Sequence, residues 1–426
     1  MSRVRWRKFT AAAVCAFAAF ALPMRDAQAA PKPRGAIHWY ASWTASPFDG
    51  AGLPPTLFAP STDAVANQTI RQRITISRGG SQLRVRFSNE YGKTPLHIGA
   101  ASVGYVSSGR MVRVPLTFGG ADSISAFAGA PIVSDPVAAN VPDGTDIDVS
   151  LYLPDRTPVE TIHLLGLQQS ALSGPGNFVM SDSLPDATSF DMLEKMSGRR
   201  YPARFFLSEV DVAGAKPIRT VVAFGDSITD GMGSTPDTNR RWPDDLARRI
   251  VKAKLGLAVV NQGIGGNQVL ARGMGDSALA RFDRDALALP GVSTIIIMEG
   301  INDIGFSGNL IPGLSRNDII PAEEIIQGYR QLIARAHMHG VRIIGATMTA
   351  FAGSPAFKLE KEAVRQAVNG WIRTSSAFDA VVDFDAVTRD PEKPDQLKNE
   401  FDGGDHIHLS DAGYEAMASA IDLSKL

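Results

Sequence analysis

Hydrophobic and polar residues alternate with a period of two through much of the first half of the chain. The clearest runs lie at residues 70–76, 83–87 and 147–153. This alternation is typical of strands that bury one face. Gly79 and Gly80, between the first two runs, predict a hairpin. The arginines of both runs are expected to form a solvated face, with a surface for a sugar or an acidic ligand as the alternative. Short strands separated by Gly, Pro and Asp, with hardly a helical window, predict an all-β antiparallel sandwich over residues 36–215.

The pattern changes from about residue 218 onward. Nearly continuous apolar segments predict strands at residues 220–225, 258–263, 294–300, 341–348 and 380–384. Segments with helical periodicity separate them, the first of them starting near Pro243. This alternation of strands and helices is typical of a parallel sheet covered on both faces. The sequence therefore predicts an α/β domain with a doubly wound parallel sheet over residues 218–426, after a short linker near residues 213–217.

Polar, turn-rich segments lie where the predicted strands end. Residues 225–231, 261–267 and 300–303 follow the first, second and third strands, and residues 405–408 precede a helix expected to begin near Ser410. In an open parallel sheet, ligands bind beyond the carboxyl ends of the strands. We therefore expect these four segments to meet at one edge of the sheet and to form a functional site.

The residue types in these segments suit acyl transfer. Ser227 lies at the predicted turn after the first strand, where a hydroxyl is held in the open as a nucleophile, although a Gly-Asp-Ser tripeptide alone is more often an ordinary turn. His408 can act as its base, and Asp405, three residues earlier, can orient the imidazole and stabilise its cation. His406 is the competing base, but its spacing from Asp405 is less suitable.

An oxyanion formed on the substrate needs hydrogen-bond donors that are fixed in advance. The backbone N–H of Ser227 at a helix start, a glycine of the pair Gly265-Gly266 and the side-chain amide of Asn302 can supply them. Together with the nucleophile and the base, these groups predict a serine hydrolase site that requires no metal and no cofactor.

The four segments resemble, in order, the four blocks of the SGNH hydrolases, also called GDSL-type esterases and lipases. The matching residues are Gly225-Asp226-Ser227 with Ile228 in place of Leu, Gly266, Gly300-x-Asn302-Asp303, and Asp405-x-x-His408. The resemblance implies that Ser227, Asp405 and His408 are the catalytic triad, and that Ser227, Gly266 and Asn302 form the oxyanion hole. It covers residues 218–426 and implies a flavodoxin-like, three-layer α/β/α fold. The N-terminal sandwich is an addition that many members lack.

Other polar residues near these segments have simpler interpretations. Asp226 and Asp303 are expected to bond local backbone, and His337 and His339 to lie at a helix C-terminus. Glu299 is a candidate pocket residue. Residues 239–243 are expected either to shape the substrate site or to begin a helix.

Residues 1–30 have the pattern of a secretory signal peptide. A basic start is followed by an apolar, Ala-rich segment over residues 10–22 and by Ala27-Gln28-Ala29, which predicts cleavage near Ala29 or Ala30. Cleavage removes the single cysteine, Cys15, and changes the formal net charge from −1 to −5. The remaining chain has no basic cluster and no long apolar segment. We therefore expect a secreted or periplasmic protein that binds no nucleic acid and has no stable membrane anchor.

The sequence thus predicts an exported serine esterase that acts on an ester substrate. The export signal and the added sandwich favour short O-acyl groups, acetyl above all, on carbohydrate such as an acylated polysaccharide. Three alternatives stay open: a lipase or lysophospholipase, an acyltransferase with the same catalytic residues, and a carbohydrate-binding protein with a degenerate catalytic domain. The sequence carries no information on oligomeric state.

Overall fold

The computed structural model describes residues 37–50, 52, 58–195, 198–308 and 316–426. The predicted signal peptide lies outside the described residues. Residues Ile37–Leu426 cluster as a single unit, so the predicted domains at 36–215 and 218–426 remain predictions. Within the described residues, no helix combines the length and the apolar character needed to span a bilayer.

The described residues from 37 to 214 form strands and connecting loops. The strands are β1 His38–Thr44, β2 Phe48–Asp49, β3 Phe58–Pro60, β4 Ala64–Val65, β5 Gln68–Thr75, β6 Gly80–Ser88, β7 Leu96–Ile98, β8 Ala100–Ser107, β9 Arg110–Leu116, β10 Ile124–Ala126, β11 Pro131–Val133, β12 Val137–Val141, β13 Asp146–Leu153, β14 Thr157–Pro158, β15 Thr161–His163, β16 Ser170–Pro175, β17 Thr188–Ser189, β18 Asp191–Glu194, β19 Arg200–Pro202, β20 Arg204–Phe205 and β21 Leu207–Gly214.

The two largest sheets of this region are antiparallel. One has the order β17-β16-β5-β13-β8-β9; the other has the order β1-β21-β6-β11, with β12 also paired to β6. Apolar side chains from both sheets share one core, including Ile70 and Ile74 of β5, Val85 and Phe87 of β6 and Val149 of β13. The predicted antiparallel β region is therefore confirmed.

The hairpin predicted at Gly79-Gly80 is wrong. β5 pairs with β13 and β16, whereas β6 pairs with β21, β11 and β12, so the two strands belong to different sheets. A Cβ atom on Gly79 would collide with the carbonyl oxygen of Val141. Close approach of two backbones therefore explains that glycine. Alternation identifies the buried face of each strand but not its neighbour.

The arginines of β5 and β6 are held by acidic partners on neighbouring strands. Arg73 pairs with Asp148 at 3.1 Å, and Arg84 pairs with Asp211 at 2.8 Å. These cross-strand ion pairs lie on the predicted solvated face, where 55% of the Arg73 side chain and 30% of the Arg84 side chain are exposed.

From residue 219 onward, strands and helices alternate. The elements are β22 Arg219–Gly225, α1 Ser227–Asp230, α2 Trp242–Lys252, β23 Leu257–Gly263, α3 Ala278–Phe282 with a π-helical continuation Asp283–Leu287, β24 Val292–Met298, α4 Ile301–Phe306, α5 Ala322–Met338, β25 Arg342–Ala346, α6 Leu359–Thr374, β26 Ala380–Val382, α7 Phe384–Thr388, α8 Asp411–Ala420 and a final 3₁₀ turn Leu423–Lys425.

The strands of this part form a parallel sheet with the order β23-β22-β24-β25-β26. This is the flavodoxin-like order, and its switch point lies at β22. The centres of β22 and β24 are fully buried, as at Val222 and Ile296, because helices cover both faces. The predicted α/β/α fold is therefore confirmed, and Ser227 directly follows the strand at the switch point.

The β region covers the exposed edge of β23. Thr44 Oγ1 donates a hydrogen bond to the carbonyl oxygen of Asn261 at 2.8 Å, and the backbone N–H of Val259 donates to Ser77 Oγ at 3.1 Å. Ile264, directly after β23, packs into the core of the β region. An unpaired strand edge is thereby protected, and the β region is held firmly against the parallel sheet.

Candidate active site

A tight turn after β22 presents Ser227. Asp226 is the N-cap of α1, and its carboxylate accepts a hydrogen bond from the Ile228 N–H at 2.9 Å. A Cβ atom on Gly225 would collide with the Thr229 hydroxyl, so the turn requires glycine there. Gly231 ends the helix with a φ of 105°. Ser227 is therefore the first residue of a short helix, where its own N–H has no partner within the helix.

The structure brings Ser227, His408 and Asp405 together. Ser227 Oγ lies 2.7 Å from His408 Nε2, and His408 Nδ1 lies 2.7 Å from Asp405 Oδ2. The other oxygen of Asp405 accepts the N–H groups of His408 and Ile407, at 2.8 and 3.1 Å. This line of hydrogen bonds can move a proton from the serine to the imidazole and stabilise the cation that results.

The carboxyl group of Asp405 is ionised near neutral pH. Burial alone would raise its pKa, but the hydrogen bonds and charge of His408 outweigh burial and lower the pKa to about 2. The ionised carboxylate of Asp405 therefore accepts a hydrogen bond from His408 Nδ1, and this bond fixes the tautomer of the imidazole. Asp405 is not itself a proton donor near neutral pH.

Gly266 and Asn302 lie in the segments after β23 and β24. Gly266 has a φ of 74°, and Asn302 is in the first turn of α4 after Gly300, whose φ is 108°. Asn302 Nδ2 donates to the carbonyl oxygen of Asn267 at 2.9 Å. An amide nitrogen carries two hydrogens, and this bond uses one of them, so the second can serve a substrate oxyanion.

Asp303 bonds backbone as predicted, but the backbone is not local: it belongs to the segment after Gly266. Its carboxylate accepts the N–H groups of Val269 and Leu270 at 2.7 and 3.1 Å. Burial outweighs these bonds and raises the pKa of Asp303 to about 7; burial also raises the pKa of Asp226 to about 7. The structural role of both carboxyl groups rests on their hydrogen bonds to backbone N–H groups of the segments around the site.

We expect the titration of Asp303 to make the fold less stable as pH rises from about 4 to 7. The folded chain keeps a proton that the unfolded chain, with an ordinary pKa of 3.8, has already released, so the free energy of unfolding falls through that window. In Asp303→Asn we expect the free energy of unfolding to fall less steeply with pH, by up to about 1.4 kcal/mol per pH unit. Urea unfolding of both proteins at several pH values measures the difference, and parallel curves would contradict it.

Arg281 of α3 joins the ends of two neighbouring strands and the segment of Gly266. It donates to the carbonyl oxygens of Gly225 at 2.9 Å and Gln262 at 2.8 Å, and to Asn267 Oδ1 at 2.9 Å. Its side chain is fully buried. The same Asn267 accepts the amide of Asn302, so Arg281 fixes the backbone around both Ser227 and Asn302.

The charge of Arg281 is balanced by two buried carboxylates. Asp285 lies at 3.2 Å and Glu299 at 3.3 Å. Glu299 is fully buried, so its expected place in a pocket wall is wrong. The sequence analysis missed Arg281, because it stands inside a helical segment that carries no motif and its partners lie on two strand ends and a loop.

His163, to which the sequence analysis assigned no role, connects the β region to α1. Its Nε2 lies 3.1 Å from Asp230 Oδ1, and its Nδ1 lies 3.0 Å from the carbonyl oxygen of Ser46. Asp230 is the last residue of α1, so this buried link supports the helix that begins with Ser227. A lone histidine at a strand end gives no signal of such a contact.

The remaining candidates have structural contacts. Arg241 is the N-cap of α2, and its backbone N–H and its guanidinium both donate to the carboxylate of Asp244, at 3.2 and 2.7 Å, so residues 239–243 include a helix start. His406 pairs with Asp402 at 2.6 Å and not with Asp405. His337 in the last turn of α5 pairs with Asp379 at 3.0 Å.

Comparison with known proteins places this site in a described family. Residues 223–416 match the family GDSL-like Lipase/Acylhydrolase. No curated protein has a matching sequence. The described part of the chain is also similar to solved structures. A GDSL-like lipase from Bacteroides thetaiotaomicron is 16% identical with a TM-score of 0.36, over 49% of this chain and 87% of that one.

Two carbohydrate esterases are among these similar structures. A carbohydrate acetylesterase from Sinorhizobium meliloti is 18% identical with a TM-score of 0.36, over 47% of this chain and 95% of that one. A carbohydrate esterase family 2 enzyme plus carbohydrate binding domain from Corynascus thermopiles is 15% identical with a TM-score of 0.38, over 90% of this chain and 97% of that one. Similarity this low carries no information on the substrate of this chain.

Proposed function

We propose that this chain, whose residues 223–416 belong to the GDSL-like lipase/acylhydrolase family, is an exported serine esterase that removes short acyl groups, acetyl above all, from carbohydrate. The family makes the chain a carboxylic ester hydrolase. The observation that carries the assignment of its residues is the unbroken line from Asp405 through His408 to Ser227, with 2.7 Å at each step between side chains. Export rests on the signal-peptide pattern, with cleavage near Ala29 or Ala30.

In the proposed reaction, Ser227 Oγ attacks the acyl carbonyl while His408 Nε2 takes the hydroxyl proton. The negative charge on the carbonyl oxygen is stabilised by the N–H groups of Ser227 and Gly266 and by the free amide hydrogen of Asn302. His408 gives its proton to the leaving alcohol, and Asp405 stabilises the imidazolium in between. A water molecule, deprotonated by His408, then releases the acid from Ser227 in the same sequence of steps.

Crowding beside the proposed oxyanion donor supports a short acyl group. A Cβ atom on Gly266 would lie 2.6 Å from Met274 Sδ, and a Cβ atom on Gly265 would lie 3.2 Å from Leu165 Cδ1. Side chains from the loop after β23 and from the β region therefore close in on this segment from two directions. We propose that this crowding also limits the space beyond the carbonyl carbon of a bound ester, which would favour an acetyl group.

A lipase-type activity on longer chains is the second candidate, and one cavity favours it. A cavity of about 390 Å³ is lined in part by Asp303, the residue that follows Asn302 in the sequence. Part of its lining is apolar and consists of Leu270, Ala271, Phe306 and Ile320, and the rest is polar or charged, as at Arg272 and Glu324. The apolar part suits an extended acyl chain.

A series of p-nitrophenyl esters from acetyl to palmitoyl separates the two candidates. For the mature protein we expect kcat/KM to be highest for acetyl and to fall by at least about tenfold by octanoyl, because each misplaced or excluded methylene costs about 1 kcal/mol or more. A maximum at octanoyl or longer would replace the short-chain assignment with the lipase one. Equal values along the series would contradict both pocket assignments.

A further inference from the structure

A second cavity, of about 320 Å³, lies between the β region and the catalytic part. It is lined by Asp49, Gly52 and Tyr91 from the β region and by residues 272–276 from the loop after β23. Two carboxylates, a guanidinium and a phenol thus face a space in the lower part of the range of small-molecule sites, roughly 300–1,000 Å³. Arg272 lines both this cavity and the cavity beside Asp303.

This cavity adjoins the proposed oxyanion donor. Met274, one of its lining residues, lies against the Cα of Gly266, and Asn267 Nδ2 donates to the carbonyl oxygen of Asp276 at 2.8 Å. Asn267 in turn accepts the amide of Asn302. The wall of the cavity is therefore built directly onto the backbone that we assign to oxyanion binding.

The polar groups of the cavity are held in place by one another. Arg272 pairs with Asp49 at 3.3 Å and with Asp276 at 3.6 Å. Tyr91 donates its hydroxyl to Asp276 at 2.6 Å and accepts from Arg284 at 2.9 Å. Burial raises the pKa of Tyr91, so the phenol stays neutral. Arg284 also pairs with Asp285 and Glu90, so Arg272 is the guanidinium of the cavity lining that faces the two carboxylates.

The side chains of Asp49 and Asp276 remain partly open to the cavity, with 27% and 29% of their surface exposed. Each carboxylate can accept further hydrogen bonds beyond those it already makes. Gly273 and Gly275 also line the cavity. A Cβ atom on Gly273 would lie 2.5 Å from Gln268 Nε2, and one on Gly275 would lie 3.2 Å from Ile264 Cγ2, so close packing of the loop explains both glycines. Neutral, hydroxyl-rich rings satisfy all these conditions.

We propose that this cavity binds the alcohol part of the substrate, as a neutral sugar ring whose acylated hydroxyl points toward Ser227. The inference rests on the proposed esterase function and deepens it by assigning a specificity role to Asp49 and Arg272. It also gives the β region a direct part in substrate binding, because Asp49 and Tyr91 belong to that region.

The test compares two acetyl esters that differ in their alcohol. Hydrolysis of p-nitrophenyl acetate and of methyl glucopyranoside monoacetates is measured for the mature wild type, for Arg272→Ala and for Asp49→Asn. We expect each variant to raise KM for the sugar esters about tenfold, because hydrogen bonds to charged groups are lost. The kcat/KM for p-nitrophenyl acetate is expected to stay within about twofold of the wild type.

Asp283→Ala is the matched control, since Asp283 pairs with Arg335 at 2.7 Å on the far end of α3 and lines none of the described cavities. It is expected to leave both esters unaffected. Equal losses on both esters in Arg272→Ala and Asp49→Asn, or no change on either, would overturn the sugar subsite. A wild type that hydrolyses p-nitrophenyl acetate but none of the sugar esters would overturn the subsite and leave the esterase function intact. A wild type inactive on p-nitrophenyl acetate would overturn the proposed esterase function itself.

Discussion

Replacement of Ser227 by alanine lowers kcat for p-nitrophenyl acetate by about 10⁴- to 10⁶-fold. The reaction is expected to run through an acyl group on Ser227 Oγ, and His408 and Asp405 have no proton to relay once that hydroxyl is gone. Residues of a triad act as a unit, so loss of the nucleophile removes nearly the whole contribution of all three. The residual rate is the small acceleration that the oxyanion donors and substrate binding provide by themselves.

Ser234→Ala is the matched control for this experiment. Ser234 is buried in the same loop and donates its hydroxyl to the carbonyl oxygen of Gly231 at 2.7 Å. Its loss removes a buried hydrogen bond near the site without touching the line of Ser227, so kcat is expected to change by less than about tenfold. Initial rates for the three proteins, with circular dichroism to verify folding, provide the measurement. Activity of Ser227→Ala within tenfold of the wild type would contradict the assigned nucleophile.

Arg281→Met lowers the free energy of unfolding by about 3–5 kcal/mol. Methionine fills much of the space of the arginine stem, but it leaves the fully buried Glu299 without its cation, whereas Asp285 keeps its pair with Arg284 at 2.9 Å. Removal of one partner from a buried ion pair costs this much because the remaining charge is left uncompensated. The carbonyl oxygens of Gly225 and Gln262 also lose their donor, so kcat is expected to fall together with stability.

Arg335→Met provides the comparison for Arg281→Met. Arg335 pairs with Asp283 at 2.7 Å, but 26% of its side-chain surface and 67% of that of Asp283 are exposed. Ion pairs near the surface contribute about 1 kcal/mol or less. Denaturant unfolding of the two variants beside the wild type measures the contrast. Similar losses in both variants would show that Arg281 is no more important to the fold than an ordinary surface arginine.

The strands of the parallel sheet could be predicted from the sequence because they are buried on both faces. Residues 220–225 and 294–300 are nearly continuous apolar runs, and they correspond to β22 and β24. The position of the site followed from the same fact, since Ser227 and Asn302 come directly after those two strands. These predictions succeeded because an apolar run marks a buried strand, and the residues that follow it in the sequence lie at the end of that strand.

Contacts between distant segments could not be predicted in this way. The alternation around Gly79 is the same whether β5 and β6 pair or face each other across a core. Arg281 binds Ser46 Oγ at 3.1 Å across 235 residues of sequence. His163 reaches Asp230 from the other half of the chain. Tertiary packing determines such partners, and neither the periodicity of the sequence nor its motifs carry information on them.

The close fit of the two halves bears on the role of the β region. It covers the edge of β23, supports α1 through His163 and lines a polar cavity beside Gly266. A tethered module that only targets the enzyme to a surface would not need these contacts. We infer that the β region braces the site, and that removing it would impair the esterase itself.

Covalent labelling of the mature protein with a fluorophosphonate, followed by mass spectrometry of its peptides, tests the central assignment most directly. Such reagents phosphonylate a serine that a neighbouring base activates, and fluoride leaves from phosphorus as the serine oxygen attacks. One adduct per chain, on the peptide that contains Ser227 and at Ser227 itself, with loss of ester hydrolysis in proportion to labelling, is the result that the structure predicts. An active enzyme that stays unlabelled at Ser227, or that loses its activity through an adduct on another residue, would contradict it.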